Sequence, residues 1–150
     1  MAKECLESFE SSNWEKLSLD EKKYSMERLT VYNSEILSIN HIPKIEYYNI
    51  DDDGDYGKFS KQENTLYINI HNIEDPYETI DTISHECRHC YQYERADKLV
   101  NERDYEFKNS FENYIYPEDD YFAYCSQLVE ADAQKYANRI KKYALSMMKK

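Results

Sequence analysis

Three side chains in residues 81–92, DTISHECRHCYQ, have the types and spacing that bind and use a metal ion: His85, Glu86 and His89. Histidines at i and i+4 stand about 40° apart around a helix and one turn along it, because each residue advances about 100°. Both imidazoles can then reach one ion. Glu86 lies about 100° from His85, beside the ion rather than on it. A carboxylate there can act as general base, taking a proton from a metal-activated water and passing it to a leaving amine. Zinc in a hydrolytic site takes three protein ligands and keeps one position open. The triplet therefore requires a helix beneath it and a third ligand elsewhere in the chain.

The helix is predicted from its start. Asp75 is a good N-cap, Pro76 suits the first helical position, and Glu78 stands where a capping box has its acid. The pattern runs to about Ala96. Ile80, Ile83, Cys87 and Cys90 form one stripe, and Thr82, His85, His89 and Gln92 a second. His85 lies about 160° from Ile83 around the axis. The apolar face is expected to pack on a sheet and the histidine face to meet another element.

That element is predicted to be a last helix, from about Asp119 or Asp120 to about Met147. Its apolar stripe is Ala133, Ala137, Ile140, Ala144 and Met147, and Glu130 lies in line with it. A carboxylate among small apolar side chains is costly to bury alone, and ligating a cation removes that cost. Glu130 is therefore the expected third ligand. Asp132, on the other side of that helix with Arg139 roughly on its face, is read as a supporting or ion-pairing residue.

The remaining elements are simpler. Ser18-Leu19-Asp20-Glu21 is a capping box that opens a helix with the stripe Leu29, Tyr32, Ile36 and Ile39, ending near Asn40. Residues 44–50 (KIEYYNI) and 65–70 (TLYINI) read as strands, with 56–59 as a third. Residues 97–117 are mixed and aromatic, a shorter helix or loops ending at Pro117. Strands and helices are segregated, which predicts one α+β domain over residues 1–150.

HECRH followed by E-A-D-A-x-x-Y-A (Glu130 to Ala137) resembles the zincin metallopeptidases whose third ligand is a glutamate. The order of elements over residues 18–147 is similar to the minimal zincin scaffold: a supporting helix, a small twisted sheet, the HExxH helix and a glutamate-bearing helix. The resemblance implies that His85, His89 and Glu130 bind Zn2+ and that Glu86 is the general base. It also implies that an edge strand, taken as residues 65–70, holds an extended peptide by β-addition. Two features depart from the family pattern. The position four after the third ligand is Gln134 instead of an acid, with the aspartate at +2. No histidine follows Glu130, so an oxyanion donor must be tyrosine, arginine or water; Tyr91, Tyr121 and Tyr124 are the candidates.

Composition bounds the alternatives. With 41% hydrophobic and 33% charged residues the chain reads as globular. It has no apolar run of about 18 residues, which argues against a membrane span. The opening MAKECLESFESSNWEK lacks signal-peptide character, so a cytoplasmic protein is expected. A net charge of −11 disfavours nucleic acid and weakly favours basic peptides. The basic cluster Lys141, Lys142, Lys149 and Lys150 reads as helix C-terminal charge that offsets the dipole. Cys5, Cys87, Cys90 and Cys125 read as reduced thiols, and the lone C-x-x-C as packing. Asn49-x-Asp51-x-Asp53-Gly54-Asp55 partly imitates a calcium loop, but Ser60 stands where a bidentate glutamate belongs, so an acidic hairpin turn is expected. The sixteen tyrosines suit an aromatic cleft or an ordinary core. The expected function is a zinc metallopeptidase acting on a peptide or protein substrate, with neither nucleic acid nor membrane as partner. The alternatives are a non-catalytic zincin-like zinc module with a binding or regulatory role, and a metal-free acidic interaction protein.

Overall fold

In the computed structural model, which describes residues 2–148, two short helices come first, α1 (Ala2–Glu7) and α2 (Ser11–Trp14). The sequence reading anticipates neither. They exist because Leu6, Phe9 and Trp14 are fully buried, with the Phe9 and Trp14 rings stacked at 4.8 Å. Trp14 Nε1 donates to the Ile73 carbonyl at 2.9 Å, fastening this segment beneath the loop that leads into the histidine helix. The expected capping box opens α3 (Leu19–Ile36): Ser18 Oγ accepts from the Glu21 amide, and the Glu21 carboxylate accepts from the Ser18 amide. The helix stops short of Asn40 because Ser38 turns left-handed, at φ 53°, and Ile39 N–H bonds back to the Ser34 carbonyl.

Three strands follow, β1 (Lys44–Tyr48), β2 (Gly57–Ser60) and β3 (Thr65–Asn69). Their order is β1-β3-β2, with β1 parallel to β3 and β2 antiparallel to it. Two expectations are thereby corrected. The strand read at residues 65–70 is central and paired on both sides, so it cannot take a peptide by β-addition; β2 is an edge. The acidic stretch is not a hairpin turn, because β1 and β2 pair with β3 and not with each other. It is a crossover held by Asn69, whose amide donates to the Ile50 and Asp55 carbonyls at 2.9 and 2.8 Å.

Next comes α4 (Pro76–Lys98), capped by the Asp75 carboxylate, which accepts from the Tyr77 amide at 2.9 Å. Leu99 ends it in the left-handed region at φ 53°. The segment expected to be irregular holds a full helix, α5 (Glu102–Glu112), opened by a reciprocal box between Asn101 and Asp104. The predicted single last helix is two, α6 (Tyr121–Ser126) and α7 (Leu128–Met148). Gln127 is extended between them, at ψ 151°. Its side chain bonds both backbone groups of Ile115, accepting at 3.0 Å and donating at 2.8 Å. The break redirects the chain so that α7 lies along α4 with Ala133, Ala137 and Ala144 fully buried.

The result is an α+β architecture with a small mixed sheet. Ile80, Ile83, Cys87 and Cys90 of α4 share one apolar cluster with Leu66 and Ile68 of β3 and Met26 and Leu29 of α3, as the stripe predicts. A smaller cluster of Ala96, Phe107 and Val129 joins α5 to α4 and α7. Arg95 and Asp104 lock it with a two-pronged ion pair at 2.9 and 2.8 Å. The four cysteines are free thiols, and Cys87 and Cys90 are core residues. No described helix is long and apolar enough to cross a membrane.

Candidate metal centre

The alanine face of α7 lets its backbone approach α4 closely, and the contact brings three donor side chains together. His85 Nε2 lies 3.0 Å from Glu130 Oε1, and His89 Nε2 lies 3.1 Å from Glu130 Oε2. One ligand atom from each of His85, His89 and Glu130 falls within 4.8 Å of the others, a spacing that can hold an ion. Glu130 is only 5% exposed, in the first turn of α7. Burial acts to raise its carboxyl pKa, but the two imidazoles outweigh that and hold it well below the usual carboxylate range.

The far side of each ring is fixed by a glutamine. His89 Nδ1 faces Gln92 Oε1 at 2.8 Å, and His85 Nδ1 faces Gln134 Oε1 at 3.2 Å. The amide orientations follow from their own partners. Gln92 Nε2 donates to the Val129 carbonyl at 2.9 Å and to Asp132 Oδ2 at 2.7 Å, and Gln134 Nε2 donates to Asp81 Oδ1 at 2.9 Å. Those groups only accept, so each glutamine must present oxygen to its histidine, and each Nδ1 must carry the hydrogen. Both Nε2 atoms therefore turn toward carboxylate oxygens. Lone pairs facing at about 3 Å repel unless a cation lies between them, either a proton on Nε2 or a metal ion. For His89 the balance without metal is clear. Burial pulls its pKa down, but the bond to Glu130, the charges of Glu86 and Glu130 and the bond to Gln92 push it up to about 9.

Asp132 sits behind this arrangement, and its partners differ from the expected Arg139. Arg88 grips it with two bonds, at 2.8 and 3.1 Å, and Arg103 reaches it at 3.4 Å. Position +2 on α7 turns toward α4 and α5, where these arginines are. Burial works against its charge, yet Arg88 and Gln92 keep its pKa lowered. Each histidine thus heads a chain of the same kind: His89–Gln92–Asp132–Arg88 and His85–Gln134–Asp81–Lys141, the last link at 3.4 Å. Gln92 already stands on the histidine stripe of the sequence, but an uncharged amide gives no signal of this role.

Glu86 lines the same cleft. Burial pushes its carboxyl up, more than the neighbouring imidazoles pull it down. A cavity of about 330 Å³ contains Glu86, His89 and Glu130 and is walled by Tyr93, Phe111, Tyr114 and Tyr124. Gly57 of β2 forms part of the rim. A methyl group there would meet the Tyr67 carbonyl at 2.7 Å and Thr82 Cγ2 at 3.1 Å, so the strand edge runs tight against α4. Of the tyrosine candidates, Tyr124 and Tyr121 line the cleft, whereas Tyr91 packs away from it, against Phe107 and Arg88. The closest phenol is one that sequence reasoning does not single out. Tyr114 donates to Glu130 Oε2 at 2.8 Å, from the loop after α5. The two-residue spacing of Tyr114 and Tyr116 ahead of Pro117 is its only signal.

At the crossover, His71 Nε2 lies 3.1 Å from Asp51, and Asp51, Asp53 and His71 are near neighbours. All three are exposed, and Ser60 lies on β2. No protein-family model, curated protein or solved structure matches this chain.

Proposed function

We propose that the chain is a zinc-dependent peptidase of the minimal zincin kind, with His85, His89 and Glu130 as ligands and Glu86 as general base. The observation that supports it most is the pair of Nε2 atoms aimed at one buried carboxylate, with a second carboxylate, Glu86, in the same cleft. Two imidazoles and a carboxylate are the donor set that suits zinc in a site with an open position. Zinc held there supplies Lewis acidity, which polarises a carbonyl and makes water acidic near neutral pH.

The chain's own groups supply the rest. Glu86, its pKa raised by burial, is suited to take a proton from water and return it to a departing amine. Gln92 and Gln134 hold the rings in the tautomer that leaves Nε2 free. The hydroxyls of Tyr114 and Tyr124, whose rings lie 6.2 Å apart, offer O–H donors where negative charge grows on the substrate. β2, paired on one side only, offers backbone groups to an extended peptide, the role expected of residues 65–70.

The test is zinc content and proteolysis measured together. Wild type and Glu86→Gln are expected to carry one zinc per chain, and His89→Ala and Glu130→Ala none. Wild type is expected to cut members of a peptide library read by mass spectrometry, with Glu86→Gln slower by roughly 100-fold or more. Full activity in Glu86→Gln removes Glu86 as base. Zinc without turnover on any peptide returns the chain to a non-catalytic zinc module.

A further inference from the structure

The cleft does not end at the three ligands. Past Gln134 a groove of about 510 Å³ continues along α7, lined by Cys125, Gln134, Lys135, Asn138, Arg139 and Lys142. It shares Cys125 and Gln134 with the part of the cleft that holds His85, Glu86 and Glu130. The two adjoin at these residues.

The charge of this extension is opposite to that of the protein. The chain has a net charge of −11, yet residues 133–148 contain four cations and no acid. Lys141 is committed to Asp81. Lys135, Arg139 and Lys142 are exposed, and among the described residues none of them has an ion-pair partner. They follow one another at spacings of four and three, so they form a single row on the helix. Like charges in such a row repel and weaken a helix. The helix dipole does not account for them. Its effect fades within the last turn, and the last turn of α7 carries no basic residue. The expected dipole role of Lys141 and Lys142 is thereby corrected; Lys149 and Lys150 lie outside the described residues.

We propose that this groove is a binding site for acidic side chains of the substrate. The peptide would carry Asp or Glu on the side of its scissile bond that runs toward Cys125. This rests on the peptidase reading above. The spacing sets the pattern. Lys135, Arg139 and Lys142 lie about 7.5, 13.5 and 18 Å along α7 from Glu130 and, at about 100° per residue, roughly 120–180° around it, so a peptide reaches them by way of Gln134 and Cys125 and not straight along the axis. An extended peptide advances about 3.3 Å per residue, so acids from about three residues beyond the bond onward meet the row. The other end of the cleft is walled by aromatic rings and has no such row. The preference is the reverse of the one that net charge suggests.

The test uses zinc-loaded Glu86→Gln, which binds without cutting, and three fluorescent peptides that differ only at those positions: Asp/Glu, Asn/Gln or Lys. Fluorescence anisotropy is expected to show the acidic peptide bound roughly tenfold more tightly than the neutral one at low salt, since exposed ion pairs are individually weak. The advantage is expected to shrink at high salt. Adding Lys135→Glu, Arg139→Glu and Lys142→Glu together is expected to reverse it in favour of the lysine peptide. Arg139→Gln alone is expected to cost about two- to threefold. Equal binding of acidic and neutral peptides, or a preference that survives the charge reversal, overturns the inference. Wild-type cleavage with no acidic preference also overturns it while leaving the peptidase reading intact. Acidic peptides bound by the groove but never cut uphold the groove and sink the peptidase reading.

Discussion

Replacing Gln92 with leucine tests whether the glutamines tune the metal site. Gln92 is fully buried and makes three bonds, accepting from His89 at 2.8 Å and donating to Val129 and Asp132 at 2.9 and 2.7 Å. Leucine fills nearly the same volume and removes all three. Asp132 keeps both Arg88 bonds, so its charge stays compensated. The main loss falls on His89, whose Nδ1–H is left without an acceptor in a dry site, at about 1–3 kcal/mol. Loss of such a support typically costs 10- to 100-fold in metal affinity, about 1.4–2.7 kcal/mol. Gln134→Leu provides the internal comparison. Gln134 is half-buried and also bonds Asn138 at the exposed edge, so water can replace it on His85. Its loss is expected to stay within about tenfold. Gln92→Glu keeps an acceptor for His89 but sets two carboxylates together, so it is expected to lose stability more than zinc affinity. Competition against a chromophoric chelator measures all three variants, with a metal-free melt beside each. A tuning role for Gln92 is refuted if Gln92→Leu binds zinc within twofold of wild type, or if Gln134→Leu is the more damaging change.

Two further predictions concern the pH response and the strand edge. In the metal-free protein His89 is raised from 6.5 to about 9, so its contribution is complete below pH 6.5 and is lost as the pH climbs to 9. Glu130 is lowered from 4.5, so its contribution is present above pH 4.5 and is lost on acidification. The melting temperature in chelator is therefore expected to be highest between pH 4.5 and 6.5. Zinc must displace the His89 proton, so its affinity should rise with pH toward 9; a flat profile contradicts the assignment. Gly57→Ala forces β2 off the Tyr67 carbonyl and Thr82, at about 1–3 kcal/mol, while touching no ligand. The variant is expected to melt earlier and cut more slowly yet keep its zinc, and an unchanged melting temperature counts against the tight approach.

Legibility follows the physics of each residue. The capping box at Ser18 and the cap at Asp75 are local, so α3 and α4 are readable at their starts. The apolar stripe of α4 is readable because its period is the helix's own. Three features are not. The helix α5 is hidden because its box, Asn101 with Asp104, has aspartate where the usual signature has Glu or Gln. The break at Gln127 depends on a side chain that bonds Ile115, twelve residues away, and no local pattern records it. The central place of β3 is hidden because strand order is a long-range outcome, and a parallel pairing with β1 cannot be told from a hairpin by composition.

The contrast between Glu130 and the two glutamines explains which parts of a site a sequence can reveal. A carboxylate in line with Ala133, Ala137 and Ala144 is an anomaly, because its charge cannot be buried without a compensating partner. The anomaly is visible in the spacing of the residues alone, and it points to a cation. Gln92 and Gln134 create no such anomaly. An amide can be satisfied by many neighbours, so its presence on a helix face requires nothing in particular. Their roles appear only when Asp132 and Asp81 are seen to fix which amide atom faces each ring. Lys135, Arg139 and Lys142 are equally silent in the sequence. Exposed cations are cheap one at a time, and only their alignment, the lack of ion-pair partners among the described residues and the groove they line make them informative. The sequence therefore discloses groups whose burial is costly, and the fold is needed to find groups that act by orienting others.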